Sequence, residues 1–386
     1  MKRHVPSFAL VILCGLLPIS PAGAVTEGDS EPDGFATSLF DGKTLDGWIV
    51  TGCEADVTDG AIAIQSGNGL LRAAGQYTDF VLELDWKALK EDRWDSGIYF
   101  RCELPPKGRP WPSRYQINLR KDLEGNCSGL EGAASEGLCK PGQWNRFKLT
   151  VVGSTAALQI NGKEAWKADG LEADCGYLCL QAEVPGGGQF LFRNVRITEL
   201  GHTSLFDGKS LAGWKEVGNG NECWKVADGL LTCTGQRGSW LRSIEEHGDF
   251  NLRLEYKLKS AGNSGVYVRA SEDGDHHGED GGVEIQILDD VHPRYADLKP
   301  YQFSGSIYKV AAAQQRVSRP AGQWNQMEIN CRGTDYRITH NGVVVIDAKA
   351  SEFPELDKRR RSGFLGLQNH SEEVFFRNIR IGPPQP

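Results

Sequence analysis

The sequence is written twice. "SLFDGKTLDGW" at 38–48 returns as "SLFDGKSLAGW" at 204–214, and "DFVLELDWK" at 79–87 as "DFNLRLEYK" at 249–257. "DSGIYFR" at 95–101 returns as "NSGVYVR" at 263–269, "PGQWNRFKLTV" at 141–151 as "AGQWNQMEIN" at 321–330, and "LFRNVRI" at 191–197 as "FFRNIRI" at 375–381. The order never changes, and each period is as long as a whole domain, so the chain is a tandem of two domains and not a solenoid. The expected boundaries are 25–200 and 201–386, after a leader over 1–24. Almost no linker separates them, so the two units are expected to pack on each other.

Within each unit the hydrophobic period is two. "FNLRLEYKL", "GVYVRA", "VEIQIL" and "VFFRNIRI" alternate apolar and polar residues, with Gly, Asn and Asp between them. "INGKEA" and "HNGVVV" carry Asn-Gly, the strongest short signal for a two-residue hairpin. Long helical periodicity is absent. A lone sheet would leave one apolar face wet, so each unit must pair two sheets. The expected fold is all-β: two tandem antiparallel β-sandwiches.

The first residues, "MKRHVPSFALVILCGLLPISPAGA", have a basic start, an apolar run and small residues at Ala22 and Ala24. That layout predicts a secretory signal peptide cut after Ala24, hence a periplasmic or extracellular protein with no membrane insertion. Leu13 precedes Cys14 where a lipoprotein would carry a small residue, so no lipid anchor is expected. The formal charge of −8 and the lack of a basic stripe argue against nucleic acid as a partner. Nine of the ten cysteines follow the leader, an odd number that leaves at least one unpaired within the chain. Cys127 and Cys139 are spaced to close a loop, and no spacing resembles a zinc site.

Taken together, "LFDGKSLAGW", "NSGVYVR", "VEIQILDD", "GQWN", "LQNH" and "FFRNIRI" resemble the 3-keto-disaccharide hydrolase family. The resemblance covers two copies and nearly the whole chain after the leader. It implies a concanavalin A-like jelly roll and an exported hydrolase acting on carbohydrates already oxidised to a ketone at C3. It also raises His370, in "LQNH", and Tyr308, in "GSIYKV", from turn and core residues to site candidates.

Strand alternation supplies the rest of the candidate set. In "VEIQIL", Val283, Ile285 and Ile287 share one face while Glu284 and Gln286 share the other. In "GVYVRA", Val266 and Val268 oppose Tyr267 and Arg269. With the apolar faces in the core, Tyr267, Arg269, Glu284 and Gln286 are expected to line an outer groove where a sugar lies. A ketone at C3 acidifies the hydrogen on C2; a base removes it, and the enolate expels the aglycone from C1 before water adds back. For that route Glu284 or His370 is the candidate base, Arg269 and Tyr308 the oxyanion partners, Asp289 the orienting carboxylate, and Gln286 and Tyr267 substrate contacts. A divalent metal at the ketone, calcium or another, stays open. The loop "SEDGDHHGEDGG" at 271–282, which holds His276 and His277, offers Asp273, Asp275 and Asp280 to calcium but lacks EF-hand spacing, and is expected to be flexible, solvated and near the groove.

The first copy departs from this set. It has Gln116 for Glu284, Asn118 for Gln286, Lys121 for Asp289, Glu183 for His370 and Ser135 for Tyr308, while Tyr99 and Arg101 survive. The catalytic copy is therefore expected to be the second, and the first a non-catalytic partner. The rival reading is a lectin-like protein that binds carbohydrate without turnover.

Overall fold

The computed structural model describes Met1 and residues 33–386, apart from 219–221, 237–238 and 371. The expected leader, Cys14 included, falls outside the described residues save for Met1. Regular structure among them is strand, with three short 3-10 turns, and every strand pairing is antiparallel. No helix there is long and apolar enough to cross a membrane. The chain is two antiparallel β-sandwiches in tandem.

In the first half, Phe80–Ala88 lies between Asn145–Val152 and Phe190–Leu200 in one layer, and Gly176–Val184, Gly97–Cys102 and Gln116–Asn118 run side by side in the other. The 17-residue strand Ala61–Tyr77 belongs to both, pairing Ile62–Ile64 with Phe190–Phe192 and its later residues with Gly176–Val184. The second half uses two strands for that one. Leu230–Cys233 pairs with Val374–Gly382 in an eight-stranded sheet, and Trp240–His247 pairs with Gly363–Leu367 in a five-stranded sheet. The order of the latter is Trp214–Val217, Trp240–His247, Gly363–Leu367, Asn263–Ala270 and Val283–Leu288, and it carries the candidate site.

The hairpin signals are honoured. Asn161-Gly162 and Asn341-Gly342 all have positive φ, the backbone of a type I′ turn, and each joins two paired strands. The alternating apolar residues fill one core per half. Trp86, Phe147, Phe190 and Phe192 anchor the first; Val266, Val268, Ile285, Ile287, Tyr256 and Phe376 anchor the second. Fully burying one such aliphatic side chain is worth roughly 1.5–3 kcal/mol.

Polar and charged groups join the halves. Glu199, in the last long strand of the first half, lies 2.8 Å from Arg253 and accepts a 2.7 Å bond from Arg380 Nε, and all three are buried. Arg319 reaches Asp46 at 2.8 Å, and Arg72 donates to the Gly342 carbonyl at 3.0 Å. The nine cysteines after the leader are all free, so Cys127 and Cys139 do not close the loop their spacing allowed. Cys127 is instead packed in the core of the first half.

Candidate active site

The site is built on Val283–Leu288. Val283, Ile285 and Ile287 enter the core as the alternation requires, which turns Glu284 and Gln286 to the opposite face of the sheet. That face is covered. The segment around Ser304–Tyr308 runs along the strand: Gln286 N–H donates to the Ser306 carbonyl at 3.0 Å, Gly305 N–H to the Gln286 carbonyl at 2.9 Å, and Tyr308 N–H to the Glu284 carbonyl at 2.9 Å. This pairing sets Tyr308 beside Glu284. On the neighbouring strand, a Cβ on Gly265 would stand 2.3 Å from Glu284 Oε1, so the glycine leaves the room that the carboxyl occupies.

The loop 271–282, expected to be flexible and solvated, is ordered by its own side chains. Asp275 Oδ1 accepts the N–H groups of His277 at 2.9 Å and Gly278 at 2.8 Å, an Asx-type turn. Gly274 has φ +90°, and a Cβ there would meet the Trp240 ring at 2.8 Å, so only a glycine lets the loop lie on the indole. The turn delivers both histidines inward. His276 stacks on Tyr267 with ring centres 3.7 Å apart and planes 16° apart, and His277 continues the ladder towards Tyr308 at 5.1 Å. Nε2 of His276 and Nε2 of His277 lie 3.6 Å and 3.5 Å from Glu284 Oε2. Asp273, Asp275 and Asp280 form no convergent ligand set. Among the described residues, the group whose donor atoms converge as metal ligands do is His276, His277 and Glu284.

Beside this group opens a cavity of about 250 Å³, lined by Asn263, His277, Glu284, Gln286, Tyr308, Gln368 and His370, with Tyr295 and Gln302 at its side. Burial pushes the Glu284 carboxyl up to about 8, opposed by a hydrogen bond with Gln368, and it holds the His277 imidazole down to about 4, with His276 and Lys309 adding to the effect. His276 is lowered by burial in the same way. A larger hollow of about 380 Å³ separates the two halves. Its charged groups already serve one another, as in Arg319–Asp46, Arg377–Glu255 and Arg253–Glu328.

Of the residues singled out from sequence, Glu284, Gln286, Tyr308 and His370 come together around the cavity, and Tyr267 lies beneath His276. Gln286 Nε2 donates to Asn263 Oδ1 at 2.8 Å, which fixes its amide. Two residues do not arrive. Arg269 has φ +56° at a register shift in its strand, which breaks the alternation and turns the side chain away from the groove. Its guanidinium is buried and donates to the carbonyls of Gly248 at 2.8 Å and Gly333 at 2.7 Å, and to Asp249 at 2.8 Å. Asp289 accepts the Ala261 N–H at 2.9 Å and pins the turn before Asn263–Ala270. Neither side chain lines the cavity. Sequence reasoning passed over His276, His277 and Gln368; the adjacent histidine pair was the available signal, masked by an acidic, glycine-rich loop.

The first half has the same frame with other side chains on it. Counted from the matched strands, the loop 103–114 has the same length as 271–282 but puts Gly108 and Arg109 where the second half has His276 and His277. Trp111, from that loop, packs against the cluster of Leu70, Tyr99, Tyr177 and two cysteines, and its indole N–H donates to the Ala182 carbonyl at 3.2 Å. Gln116 donates to Gln181 at 2.5 Å, and Gln181 to Glu183 at 3.0 Å, so two amides run to one carboxyl.

A jelly-roll-like sandwich with a carboxyl, two imidazoles and a phenol around one cavity defines the class. The chain belongs to the family described as the 3-keto-alpha-glucoside-1,2-lyase-like domain, whose model matches it twice, at residues 35–198 and 201–382. It is similar to a 3-keto-disaccharide hydrolase of Bacteroides thetaiotaomicron, 28% identical over 229 residues that span 47% of this chain and 78% of that protein. Solved structures similar to it include two putative glycosyl hydrolases of Parabacteroides distasonis. One is 22% identical, with a TM-score of 0.42 over 48% of this chain and 94% of the other; the second is 29% identical, with a TM-score of 0.38 over 44% and 98%.

Proposed function

We propose that the second half hydrolyses glycosides or disaccharides that carry a ketone at C3. The base takes the proton from C2, the electron pair moves to the C3 oxygen as an enolate, and the C1–O bond breaks as the leaving oxygen gains a proton. Water then adds at C1 and the proton returns to C2, so the net reaction is hydrolysis. His370 at the cavity rim is the base, Tyr308 the donor to the leaving oxygen, and the Glu284–His276–His277 group the partner of the C3 oxygen. Gln286, Asn263 and Gln368 hold hydroxyls.

One observation carries the reading: the carboxyl, imidazoles and phenol surround one cavity in the second half, whereas the first half has Trp111, Gln116 and Gln181 beside Glu183 and no histidine pair in the matching loop. The family match and the named hydrolase relative support it. The first half serves as a non-catalytic partner, held to the second by Glu199, and the protein is exported through a cleaved leader. The test is incubation of the chain with 3-keto and unmodified disaccharides. Monosaccharide released only from the 3-keto sugar supports the proposal; sugar binding without release under every condition replaces it with the lectin reading.

A further inference from the structure

We propose that Cys102 and Cys179, which pack beside Trp111 in the first half, are joined by a disulfide when the chain folds under oxidising conditions. Their sulfurs lie 3.6 Å apart, and among the described residues they are the one pair of thiols bonded to each other. Both are buried, at 1% and 2% exposure. The strand register explains the meeting. Cys102 lies opposite Tyr177 and Cys179 opposite Tyr99, so the four side chains share one face of adjacent antiparallel strands. A register shift falls between the two pairs and brings the cysteines together. A disulfide spans about 2.05 Å, so the sulfurs must approach by roughly 1.5 Å, within reach of rotation about the two Cα–Cβ bonds.

The second half has no such pair. There the same register sets Ala270 opposite Phe364 and Gly366 opposite Tyr267. A Cβ on Gly366 would stand 2.4 Å from the Trp240 ring, so a thiol has no room. In the first half Leu70 takes the place of Trp240 and packs with both cysteines. Oxidation breaks two S–H bonds and makes one S–S bond. The two electrons and two protons pass to a disulfide of the glutathione or oxidoreductase class, which leaves as two thiols. The hydrogen bond with Cys102, and then burial, hold the Cys179 thiol well above its ordinary value. Exchange needs a thiolate, so the bond forms while the chain folds and the pair still meets solvent. The bridge joins positions 77 apart, and closing so long a loop restricts the unfolded chain. It ties two strands at the root of the loop 103–114 and is independent of the sugar chemistry proposed above.

The experiment refolds the reduced full chain in a glutathione redox buffer, then unfolds it and alkylates the free thiols. Intact mass should show two labels fewer than the fully reduced chain, and peptide mapping should find Cys102 joined to Cys179. The oxidised chain should melt at least about 4 °C above the same chain kept reduced. Cys102→Ala copies Ala270, and it should fold, label at every remaining cysteine and melt alike in both buffers. Cys179→Ala should do the same, so a folding failure of one variant leaves the other to decide. Labelling of every cysteine in the refolded wild type overturns the proposal. So does a bridge between other cysteines in its place, or a melting temperature equal in the two redox states.

Discussion

Arg101 and Arg269 occupy the same place in the two halves and share three matching bonds, to Thr78 or Gly248, Gly153 or Gly333, and Asp79 or Asp249. Each adopts a positive φ, 42° and 56°, and each is buried. Arg101 donates to the carbonyls of Thr78, Gly153 and Ala173 and to Asp79; Arg269 donates to those of Gly248 and Gly333 and to Asp249. The arginine therefore stitches loops at one end of each sandwich, and its presence in both halves follows from that. Arg269→Ala should cost roughly 3 kcal/mol or more, because several charge-assisted bonds vanish and buried carbonyls lose their donor. Denaturant titration checks it. A variant as stable as wild type but defective in substrate binding would return Arg269 to the site.

Glu199 supplies a pH signature. Burial alone would raise its carboxyl, but Arg253 and Arg380 outweigh that and hold it down to about 2. The folded value thus lies below the usual 4.5 of an unfolded glutamate, so the folded state prefers the carboxylate. This stabilisation is present in full above about pH 4.5 and is lost as the pH falls towards 2, a span worth roughly 3 kcal/mol. Glu199→Gln should be markedly less stable than wild type at pH 7, and the gap should narrow between pH 4.5 and 3. Equal stability at pH 7 would show that the cluster does not tie the halves together.

The asymmetry between the halves predicts a contrast. Gln116→Ala in the first half should leave turnover of a 3-keto disaccharide within about twofold, since surface or amide changes away from a site rarely exceed a fraction of a kcal/mol. Tyr99→Phe should do the same. Steady-state kinetics decide, and a loss of kcat comparable to that of a second-half site variant would place chemistry in the first half.

Export is tested separately. Expressed in a bacterial host, the mature chain should begin near Val25 and carry no acyl group on any cysteine. Intact-mass measurement on the secreted fraction reads this directly; a chain retained whole in the cytoplasm would reject it.

What the sequence revealed and what it hid have physical reasons. The sandwiches were legible because a period of two has one structural meaning when both faces of the pair must be buried: Val283, Ile285 and Ile287 could only point inward. The same rule puts Glu284 and Gln286 on the opposite face, where they line the cavity. It failed at Arg269, where a positive φ and a register shift interrupt the pleat, and neither is encoded in polarity. It also could not weigh the loop 271–282. That loop is ordered by Asp275 accepting backbone N–H groups within it, by His276 stacking on Tyr267 of the strand just before it, and by Gly274 lying on the Trp240 ring, contacts that an acidic, glycine-rich composition does not reveal.

Glu284→Gln copies the first half's Gln116 and is the sharpest single test of the site. The fold should survive: the change keeps side-chain size, leaves Val283, Ile285 and Ile287 in the core, and fits the space beside Gly265. Stability should be unchanged or slightly higher, because a buried carboxyl is costly to desolvate and an amide is less so. Turnover should fall on the order of a hundredfold to ten-thousandfold, the range for losing a group that handles charge or protons at the reacting centre. KM should move far less, since an amide still hydrogen-bonds hydroxyls through Gln368 and Asn263 on the same wall. Thermal melting and steady-state kinetics on a 3-keto disaccharide, run on the same preparation, separate the two effects. Near-normal kcat in a stable variant would remove Glu284 from the chemistry and leave His370 and Tyr308 to carry it alone.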